Sequence, residues 1–593
     1  MKTENAKEFS EIYDGFSGLD LTSPIGSGKL SQLRNFRLLS DGSALKRGGF
    51  RLIGQTADAI RGAAAYVDGG EDVILAVSGA YLYRVTAEGA VSSSRVFDTE
   101  EGKADFFELR GELYIIDGQK IYRYAGGVSA EPCSPHAPLY GKLWLANNNY
   151  PGNQNEPLSL LTPRIRISYR NASNSISVLA VGLPIKSIDG LFVNGVSRMG
   201  EGYDGDEVFT IHSKGDRVSC ENFSVVNDSE IVLYVTIDGE QYSGDGIDGC
   251  NRAAVFDSFS QSRVFIYGGN DSGRFYVSPT VDEATLAQET SVYGRVDPIY
   301  FPKGGAVRFG GMDGINGMCR VCNRMLIFSS HRSWITSSLE DAEGVERLGV
   351  SLGVLSSTVG CSSEKALRVI GGAKIVTVSR GGIFKWSFDS EFEEEAVISR
   401  ISDKVEPYMS EELLKNAAVC YDRDSGELWF GNRLSEDGEV LVYDMGRGIW
   451  WLYDGICAEQ FIETGYGIAF VCGNRIYLFD NGKTDVTEDG EREIVGIIES
   501  AGFDLSARSK KKQICDVRLL GELDGGSAEV EIEDGRLLGA LSFNGEQASP
   551  IHVGAEFIDT RVSTSRTERA RFTLRAHGKS RQRIYGLEFH ATP

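Results

Sequence analysis

The stretch Ile375-Val376-Thr377-Val378, followed by the turn Arg380-Gly381-Gly382 and by Ile383-Phe384-Lys385-Trp386, shows the pattern that decides the fold. β-Branched and aromatic residues favour strands, and a glycine turn between two short runs of them predicts a β-hairpin. The same unit of apolar strand, turn and aromatic-rich strand occurs five more times. Its other copies are 73–77 with 81–85, 113–116 with 121–124, 325–328 with 333–336, 428–430 with 440–443, and 468–471 with 476–479.

The spacing of these hairpins indicates how they assemble. Over 60–130 and 310–482 they recur roughly every 40–50 residues, which is typical of propeller blades, because one hairpin cannot bury both of its faces. We therefore predict an all-β fold built on a β-propeller of five to seven blades. A row of separate β-sandwiches is the rival arrangement, and the regularity of the repeat favours the propeller.

The repeat is interrupted once and then stops. Between 163 and 259 the strands lie among polar and acidic turns, which predicts an inserted β-sandwich domain. From 489 to 593 a near-neutral segment without aromatic hairpins predicts a C-terminal β-sandwich. Its late basic residues, from Arg561 through Arg583, fit an outward strand face or a contact with an acidic neighbour, which this same chain could supply. The predicted domains are 1–162 (N-terminal arm and first blades), 163–259, 260–488 (remaining blades) and 489–593.

Helical periodicity is almost absent from the sequence. One segment, Ser410 to Cys420, reads as a helix, with Ser410 placed to cap the following Glu411-Glu412-Leu413-Leu414.

Composition limits the classes of partner. The chain has 593 residues, 71 of them glycine, and a formal net charge of −23. Such an acidic protein does not hold nucleic acid by neutralising phosphates. Its charge serves solubility, or it forms a wall along which DNA slides without binding.

The sequence also bears on location. No stretch approaches the roughly twenty uncharged apolar residues of a membrane helix, and Met1 to Asp20 lacks the apolar core of a signal peptide. We expect synthesis in a bacterial host cytoplasm without a signal peptide or transmembrane segment, and ten reduced, mostly buried cysteines.

The search for chemistry predicts no catalytic, cofactor-binding or metal-binding residue, and hence no enzyme. Gly26-Ser27-Gly28-Lys29 lacks the first glycine of a phosphate loop, and Leu30 stands where Ser or Thr is needed. Cys319 and Cys322 form a lone C-x-x-C without the second pair that zinc requires. The six histidines do not pair at ligand spacing, and the acidic turns at Asp204/Asp206 and Asp245/Asp248 read as plain turns rather than calcium loops.

One segment resembles a motif of known propellers. Asp422-Arg423-Asp424-Ser425-Gly426-Glu427-Leu428-Trp429 is similar to part of the Asp-box of sialidase propellers, with Asp422 in place of the initial Ser. That box is a structural hairpin without catalytic function, so we expect a turn with a core tryptophan.

Three stretches resemble propeller proteins of phage particles. Gly15-Phe16-Ser17-Gly18-Leu19-Asp20, Asn35 and Gly42-Ser43-Ala44-Leu45-Lys46-Arg47-Gly48-Gly49 are similar to the opening of tail nozzle and packaged-DNA stabilisation (tail tubular protein B-like) proteins of short-tailed bacteriophages. In this motif Asn35 is suited to bond a neighbouring loop. The other two stretches are 268–328 and 360–453, which include Gly268-Gly269-Asn270, Tyr300-Phe301-Pro302, Gly360-Cys361 and Trp450-Trp451-Leu452-Tyr453.

The resemblance implies a structural virion protein of the tail. It would be a ring, often a hexamer, that forms a tail nozzle, tail tube or head-to-tail closure around the DNA exit channel. Its partners would be copies of itself, neighbouring tail or portal-adaptor proteins, DNA in transient passage and possible host-surface molecules. A ring lumen lined mainly by Lys and Arg would contradict the DNA-repelling role.

Two other functions stay open. A propeller that binds or cleaves glycans during host-surface recognition would stack sugars on aromatic side chains. Exposure of Trp386, Trp429, Trp450 and Trp451 in one cleft, with flanking carboxylates, would favour it. A cytoplasmic scaffold propeller of a bacterium is the third possibility, and genomic neighbours would distinguish it.

Overall fold

A computed structural model gives the fold of the chain. The structure describes residues 9–22, 29–200, 203–238, 247–257, 262–308, 314–336, 352–388, 396–432, 438–504, 512–534, 536–544, 555–556 and 569–592.

The centre of the molecule is a seven-bladed β-propeller, at the upper end of the predicted range. Each blade is an antiparallel sheet of three or four strands, and all six predicted hairpins form second and third strands of blades. Blades 1 and 2 are Ile60–Asp68, Glu71–Ser78, Tyr81–Thr86, Val91–Arg95 and Asp105–Leu109, Glu112–Ile116, Ile121–Gly126, Ser129–Pro132. Blades 3 and 4 are Arg252–Asp257, Ser262–Tyr267, Phe275–Val277 and Gly317–Val321, Arg324–Phe328, Ser333–Thr336, Leu352–Ser356. Blades 5 to 7 are Leu367–Ile370, Lys374–Ser379, Gly382–Ser387, Val397–Arg400; Ala418–Asp422, Glu427–Gly431, Glu439–Asp444, Ile449–Asp454; and Gln460–Thr464, Gly467–Cys472, Arg475–Gly482.

The ring of blades is closed. The first strand of each blade contacts the first strand of the next, from blade 1 around to blade 7 and back to blade 1. Blade 7 receives its fourth strand, Gly49–Gln55, from the segment that precedes blade 1. This strand pairs antiparallel with Arg475–Gly482, so an early segment of the chain locks the last blade in place. A hairpin of Asp485–Thr487 and Gly490–Arg492 extends the same sheet.

Aromatic side chains fill the space between blades. Trp386 lies edge-on to Phe328 of the preceding blade, with ring centroids 5.5 Å apart, and Trp429 contacts Phe479 of the next blade at 4.8 Å. Each such ring removes apolar area of about 150–250 Å² from water and adds a directional aromatic contact. The aromatic-rich strands therefore hold neighbouring blades together.

A two-sheet insertion separates blades 2 and 3. Ile165, Leu233 and Leu191 form the core of one sheet, facing Leu179 and Val218 of the other. Its first described strand starts at Leu139, and the chain is back in the propeller at Arg252. The larger sheet is Leu139–Leu145, Arg164–Arg170, Glu230–Ile237, Ile185–Val193 and Val196–Ser197, and the smaller one is Val178–Ala180, Arg217–Glu221 and Val208–Ile211.

The C-terminal sandwich is built from both ends of the chain. Leu30–Arg34 lies between Ile449–Asp454 of blade 6 and Gly496–Ser500, so one sheet of ten strands runs from the propeller into the sandwich. Tyr13, Phe503, Phe572 and Phe589 pack between the two sheets. The remaining strands are Phe9–Asp14, Phe36–Leu38, Ala44–Lys46, Gln513–Glu522, Ser527–Glu533, Leu537–Asn544, Ala555–Glu556, Arg571–His577 and Arg583–Thr592.

Two α-helices are described. Helix α2, Glu411–Asn416, is the predicted one: Ser410 Oγ accepts a hydrogen bond from Leu413 N at 3.1 Å, but the helix ends four residues before Cys420, because blade 6 begins at Ala418. Helix α1, Glu283–Tyr293, was not predicted. Short 3-10 turns span Glu364–Ala366 and Asp403–Tyr408.

Candidate functional site: the central channel

A cavity of the described residues lies on the propeller axis. It has a volume of about 630 Å³ and is lined by residues from the first strands of all seven blades. Small side chains leave this space open, since larger ones at the same positions would fill it. The small lining residues are Gly62, Ala63, Ala104, Ala253 and Ala418.

The charged lining of the channel is unusual for so acidic a protein. It contains five basic side chains and two acidic ones, although the whole chain has a net charge of −23. Low-dielectric walls strengthen the field of such groups. The basic residues are Arg61, Arg252, Lys365, Arg368 and Arg423, and the acidic ones are Asp105 and Glu364.

Three of the lining charges are ion-paired. Arg252 Nη2 lies 2.6 Å from Glu364 Oε1, and Lys103 Nζ reaches the same oxygen at 3.2 Å. Burial raises the pKa of Glu364, but Arg252 and Lys103 more than offset this and hold that pKa below its usual range. Arg368 pairs with Glu463. These pairs link blades 3, 5 and 7 around the axis.

Two further charges join neighbouring blades through the backbone. Arg61 donates to the carbonyl oxygens of Gly79 in its own blade and of Thr99 and Gly102 in the segment that leads to blade 2, at 2.9, 2.9 and 3.0 Å. It also donates to the Asp117 carbonyl of blade 2 at 3.4 Å. Asp105 Oδ2 accepts from Ala253 N at 3.0 Å, which connects blades 2 and 3. Burial raises the pKa of Asp105, although Arg252 and the backbone bonds oppose the rise.

Lys365 and Arg423 differ from the other lining cations. Among the described residues, neither has an ion-pair partner within 4.0 Å. Burial lowers the pKa of Lys365, while Glu364 beside it opposes that change. The channel therefore presents two cations that no carboxylate within that distance neutralises.

The lone C-x-x-C is divided between two environments. Cys319 is buried in the first strand of blade 4, where burial raises its pKa, and Cys322 lies in the following turn with φ 50°. The two thiols thus do not form a ligand pair. Among the described residues no group of three or more His, Cys, Asp or Glu side chains is arranged to hold a metal.

The other motifs weighed in the sequence also have structural environments. Lys29 pairs with Asp20 at 2.9 Å, and Gly26, Ser27 and Gly28 lie outside the described residues, as does Asp245. Asp248 accepts a hydrogen bond from Tyr276 Oη at 3.2 Å, so it fastens the end of the insertion to blade 3.

The Asp-box-like segment forms the expected hairpin turn. Asp422 Oδ2 accepts from Ser425 Oγ at 2.6 Å, and Gly426 adopts φ 71° in the turn. Trp429 is buried, and its indole N–H donates to Glu427 at 3.2 Å. Burial raises the pKa of Glu427, and Arg37 opposes that rise.

All six tryptophans are buried, with at most 7% of any side chain exposed. Trp386, Trp450 and Trp451 are completely buried. The four tryptophans singled out in the sequence therefore pack inside the molecule and do not share an open cleft.

A second polar cluster, which we term the joint, lies where the propeller meets the C-terminal sandwich. Arg47 binds Asp485 through two hydrogen bonds of 2.8 Å, and both side chains are at most 3% exposed. Arg47 also donates to Asn35 Oδ1 at 2.9 Å and to the Asp454 carbonyl at 3.0 Å. Asn35 in turn donates to the Val495 carbonyl at 2.8 Å, which confirms the predicted bond to a neighbouring loop.

Several of the late basic residues of the C-terminal sandwich bond to acidic residues of this same chain. Arg583 contacts Asp41 of the N-terminal arm, and Lys579 pairs with Glu491 at 2.7 Å. Residues 561–568 lie outside the described part. For Arg583 and Lys579 the acidic neighbour is thus the chain itself.

Sequence reasoning did not find the channel. Its lining residues come in small groups from all seven blades, and these groups are separated by tens of residues. Small or charged residues at strand starts give no local signal. Only the hairpin period, which implies an axis lined by first strands, could have pointed to it.

Comparisons with known proteins add the following. No family model and no curated protein matches the chain. A structure of the Dos1 propeller is similar to 76% of this chain over 97% of its own length, with 10% identity and a TM-score of 0.33. Kluyveromyces lactis Hsv2p matches 67% of this chain over 97% of its own (9% identity, TM-score 0.23). An exo-β-1,3-galactanase from Phanerochaete chrysosporium matches 57% over 95% of its own (5% identity, TM-score 0.23). In the described part of the chain, no helix has the length and apolar character needed to cross a bilayer.

Proposed function

We propose that this protein is a structural component of a bacteriophage virion, a ring-forming tail nozzle, tail tube or head-to-tail closure protein. The observation that carries the proposal is the joint. The residues that resemble the opening of phage nozzle proteins, above all Asn35 and Arg47, are the ones that fasten the N-terminal arm to blade 6, to Asp485 and to the C-terminal sandwich. A motif used for internal fastening suits a rigid building part better than a reaction centre.

At two glycines of the phage-like motif the N-terminal arm lies very close to the propeller, which supports the same function. Gly18 has φ 81°, and a Cβ there would lie 3.0 Å from the Trp450 carbonyl. A Cβ at Gly49 would lie 1.8 Å from the Thr484 carbonyl. Side chains at these positions would push the arm away from blades 6 and 7. The arm, propeller and sandwich therefore act as one stiff body.

Exposed apolar residues concentrate on the insertion, which is suited to contact neighbouring copies. Seven of the fourteen large exposed hydrophobic side chains of the described residues belong to 139–237, a sixth of the chain. Strand pairing puts Leu145 and Val196 at the end of the insertion that is far from the propeller, and the turn bearing Val226 lies beside them. Such a patch favours protein association.

The conduit for DNA in this proposal is the lumen of the ring, formed between copies. The central channel of one propeller is a different space, because about 630 Å³ is the size of a small-molecule pocket. Its basic lining therefore does not bear on whether the ring lumen repels phosphates.

Electron microscopy of the purified full chain, and of phage particles labelled with an antibody against it, tests the proposal. We expect rings of one defined symmetry and label at the tail. Val226→Lys should disperse the rings, whereas Val67→Lys, at an exposed valine of blade 1, should leave them intact. A monomer at all concentrations, or label absent from particles, would contradict the proposal.

The glycan-binding alternative has less support from the geometry. All six tryptophans are buried, so none of them offers a sugar-stacking face. A stable monomer that binds oligosaccharides on an array would nevertheless favour this alternative over the virion function.

A further inference from the structure

The central channel has the features of a ligand site. Its volume of about 630 Å³ lies within the range of about 300–1,000 Å³ that small-molecule pockets occupy. Gly371 and Gly372, which line it, are exposed, so the space communicates with solvent. It is built on first strands of a closed ring, which makes the position of its lining groups rigid.

Most of the charged lining residues bond to other parts of the protein, and the remaining ones decide which ligand the channel could bind. Arg252, Glu364 and Arg368 are engaged in ion pairs, and Arg61 and Asp105 bond to the backbone of adjacent blades. These groups hold the blades together. Lys365 and Arg423 remain, with no carboxylate within 4.0 Å among the described residues.

Lys365 is half-buried and Arg423 is exposed, so an anion in the channel can reach both without breaking an existing ion pair. The backbone-bonded Arg61 adds a third positive charge to the same space, and Asp105 contributes one negative charge. The site therefore favours a ligand with at least two negative charges. Guanidinium and ammonium groups together recognise phosphate and carboxylate oxygens.

We propose that the central channel binds a small oxyanion with two or more negative charges, a phosphate-type or polycarboxylate molecule, through Lys365 and Arg423. This activity is independent of the proposed structural role, since it concerns the inside of one propeller rather than contacts between copies. The bound anion would also stabilise the closed ring, because it ties blade 6, which carries Arg423, to the segment before blade 5, which carries Lys365.

Isothermal titration calorimetry of the full chain tests the proposal. The probes are tripolyphosphate, citrate and, as the uncharged control, glucose, at an ionic strength of about 0.01 M, where the Debye length is about 30 Å. We expect saturable binding of one or both anions and none of glucose. The tighter of the two anions identifies whether phosphate or carboxylate chemistry is preferred.

Two channel variants and one matched control locate the site. Lys365→Gln and Arg423→Gln should each weaken binding about tenfold or more, the loss expected for a charge-assisted hydrogen bond. Arg95→Gln removes an exposed arginine from the outer strand of blade 1 and should leave the affinity unchanged.

A thermal-shift measurement guards against variants that bind poorly because they misfold. Unliganded Lys365→Gln and Arg423→Gln should melt at the temperature of the unchanged protein. At one fixed anion concentration, the melting temperature of the unchanged protein should rise more than that of either variant. Absence of saturable binding by the unchanged protein, or an equal loss of affinity in Arg95→Gln, would overturn the proposal.

Discussion

Replacement of Arg47 by Met should strongly destabilise the protein. The Arg47 and Asp485 side chains are 3% and 1% exposed and share two hydrogen bonds of 2.8 Å. Removal of one partner from a buried ion pair costs about 3–5 kcal/mol, because the other charge is left without compensation. Arg492, 3.3 Å from Asp485, offers partial compensation, so we expect about 3 kcal/mol.

Urea unfolding measures this loss. At a slope of about 1–3 kcal/mol per molar urea, 3 kcal/mol lowers the unfolding midpoint by about 1–3 M. Trp450 and Trp451 lie in blade 6 beside the joint and report its opening by fluorescence. Limited proteolysis, followed by mass spectrometry, shows whether the C-terminal sandwich separates from the propeller first.

The double variant Arg47→Met/Asp485→Leu separates the cost of an orphaned charge from the value of the pair. Removal of both charges should cost clearly less than the sum of the two single changes, since no charge stays buried alone. Arg95→Met breaks the exposed pair with Glu100 and serves as the control, with an expected cost below about 1 kcal/mol. If Arg47→Met costs no more than Arg95→Met, the joint does not hold the arm, propeller and sandwich together.

Three further predictions concern other parts of the chain. The hydrogen bond from Cys457 lowers the pKa of Cys472 to about 7, so the rate at which iodoacetamide alkylates Cys472 should rise with pH and show an inflection near 7. Cys457→Ala should move this inflection to higher pH. An inflection at the same pH in the variant would contradict the role of Cys457. Gly49→Ala would bring a Cβ to 1.8 Å from the Thr484 carbonyl oxygen and should lower the free energy of unfolding by at least about 1 kcal/mol, measured by urea unfolding. A urea midpoint equal to that of the unchanged protein would show that the strand Gly49–Gln55 is not tightly packed against blade 7. Burial lowers the pKa of Lys46 to about 8, so between about pH 8 and 10.5 the unfolded chain holds more protons than the folded one and the free energy of unfolding rises with pH. Lys46→Met should lack that rise when urea midpoints are compared at about pH 7.5 and 9.5, and identical pH profiles of the two proteins would refute it.

The blades were the most predictable part of the fold, because the residues that form each hairpin are close together in the sequence. Alternating apolar and aromatic residues place both strands and their turn within about fifteen residues, so all six predicted hairpins were confirmed. Blade 3 was cut by the predicted boundary at 259/260, since its first strand, Arg252–Asp257, follows directly on the polar turns of the insertion.

Pairings between distant segments were not predictable in the same way. The strand Gly49–Gln55 pairs with residues more than 400 positions later, and its amino-acid sequence does not indicate which strand it pairs with. Helix α1 escaped notice because its sequence, EATLAQETSVY, has no apolar stripe; its signals are Asp282, which caps Thr285 N at 2.8 Å, and Gly294 at its end. The channel could not be predicted for the same reason, because the residues that line it are far apart in the sequence.

The strand Gly49–Gln55 is synthesised long before the strand of blade 7 with which it pairs. Gln55 leaves the ribosome about 420 residues before its partner Arg475, which at about 5–20 residues per second is a delay of roughly 20–80 s. Throughout that interval the hydrogen-bonding edge of Gly49–Gln55 has no native partner, and an unpaired edge is an aggregation hazard. We therefore expect folding during synthesis to depend on chaperones or on rapid translation, even though the finished propeller is closed and well packed.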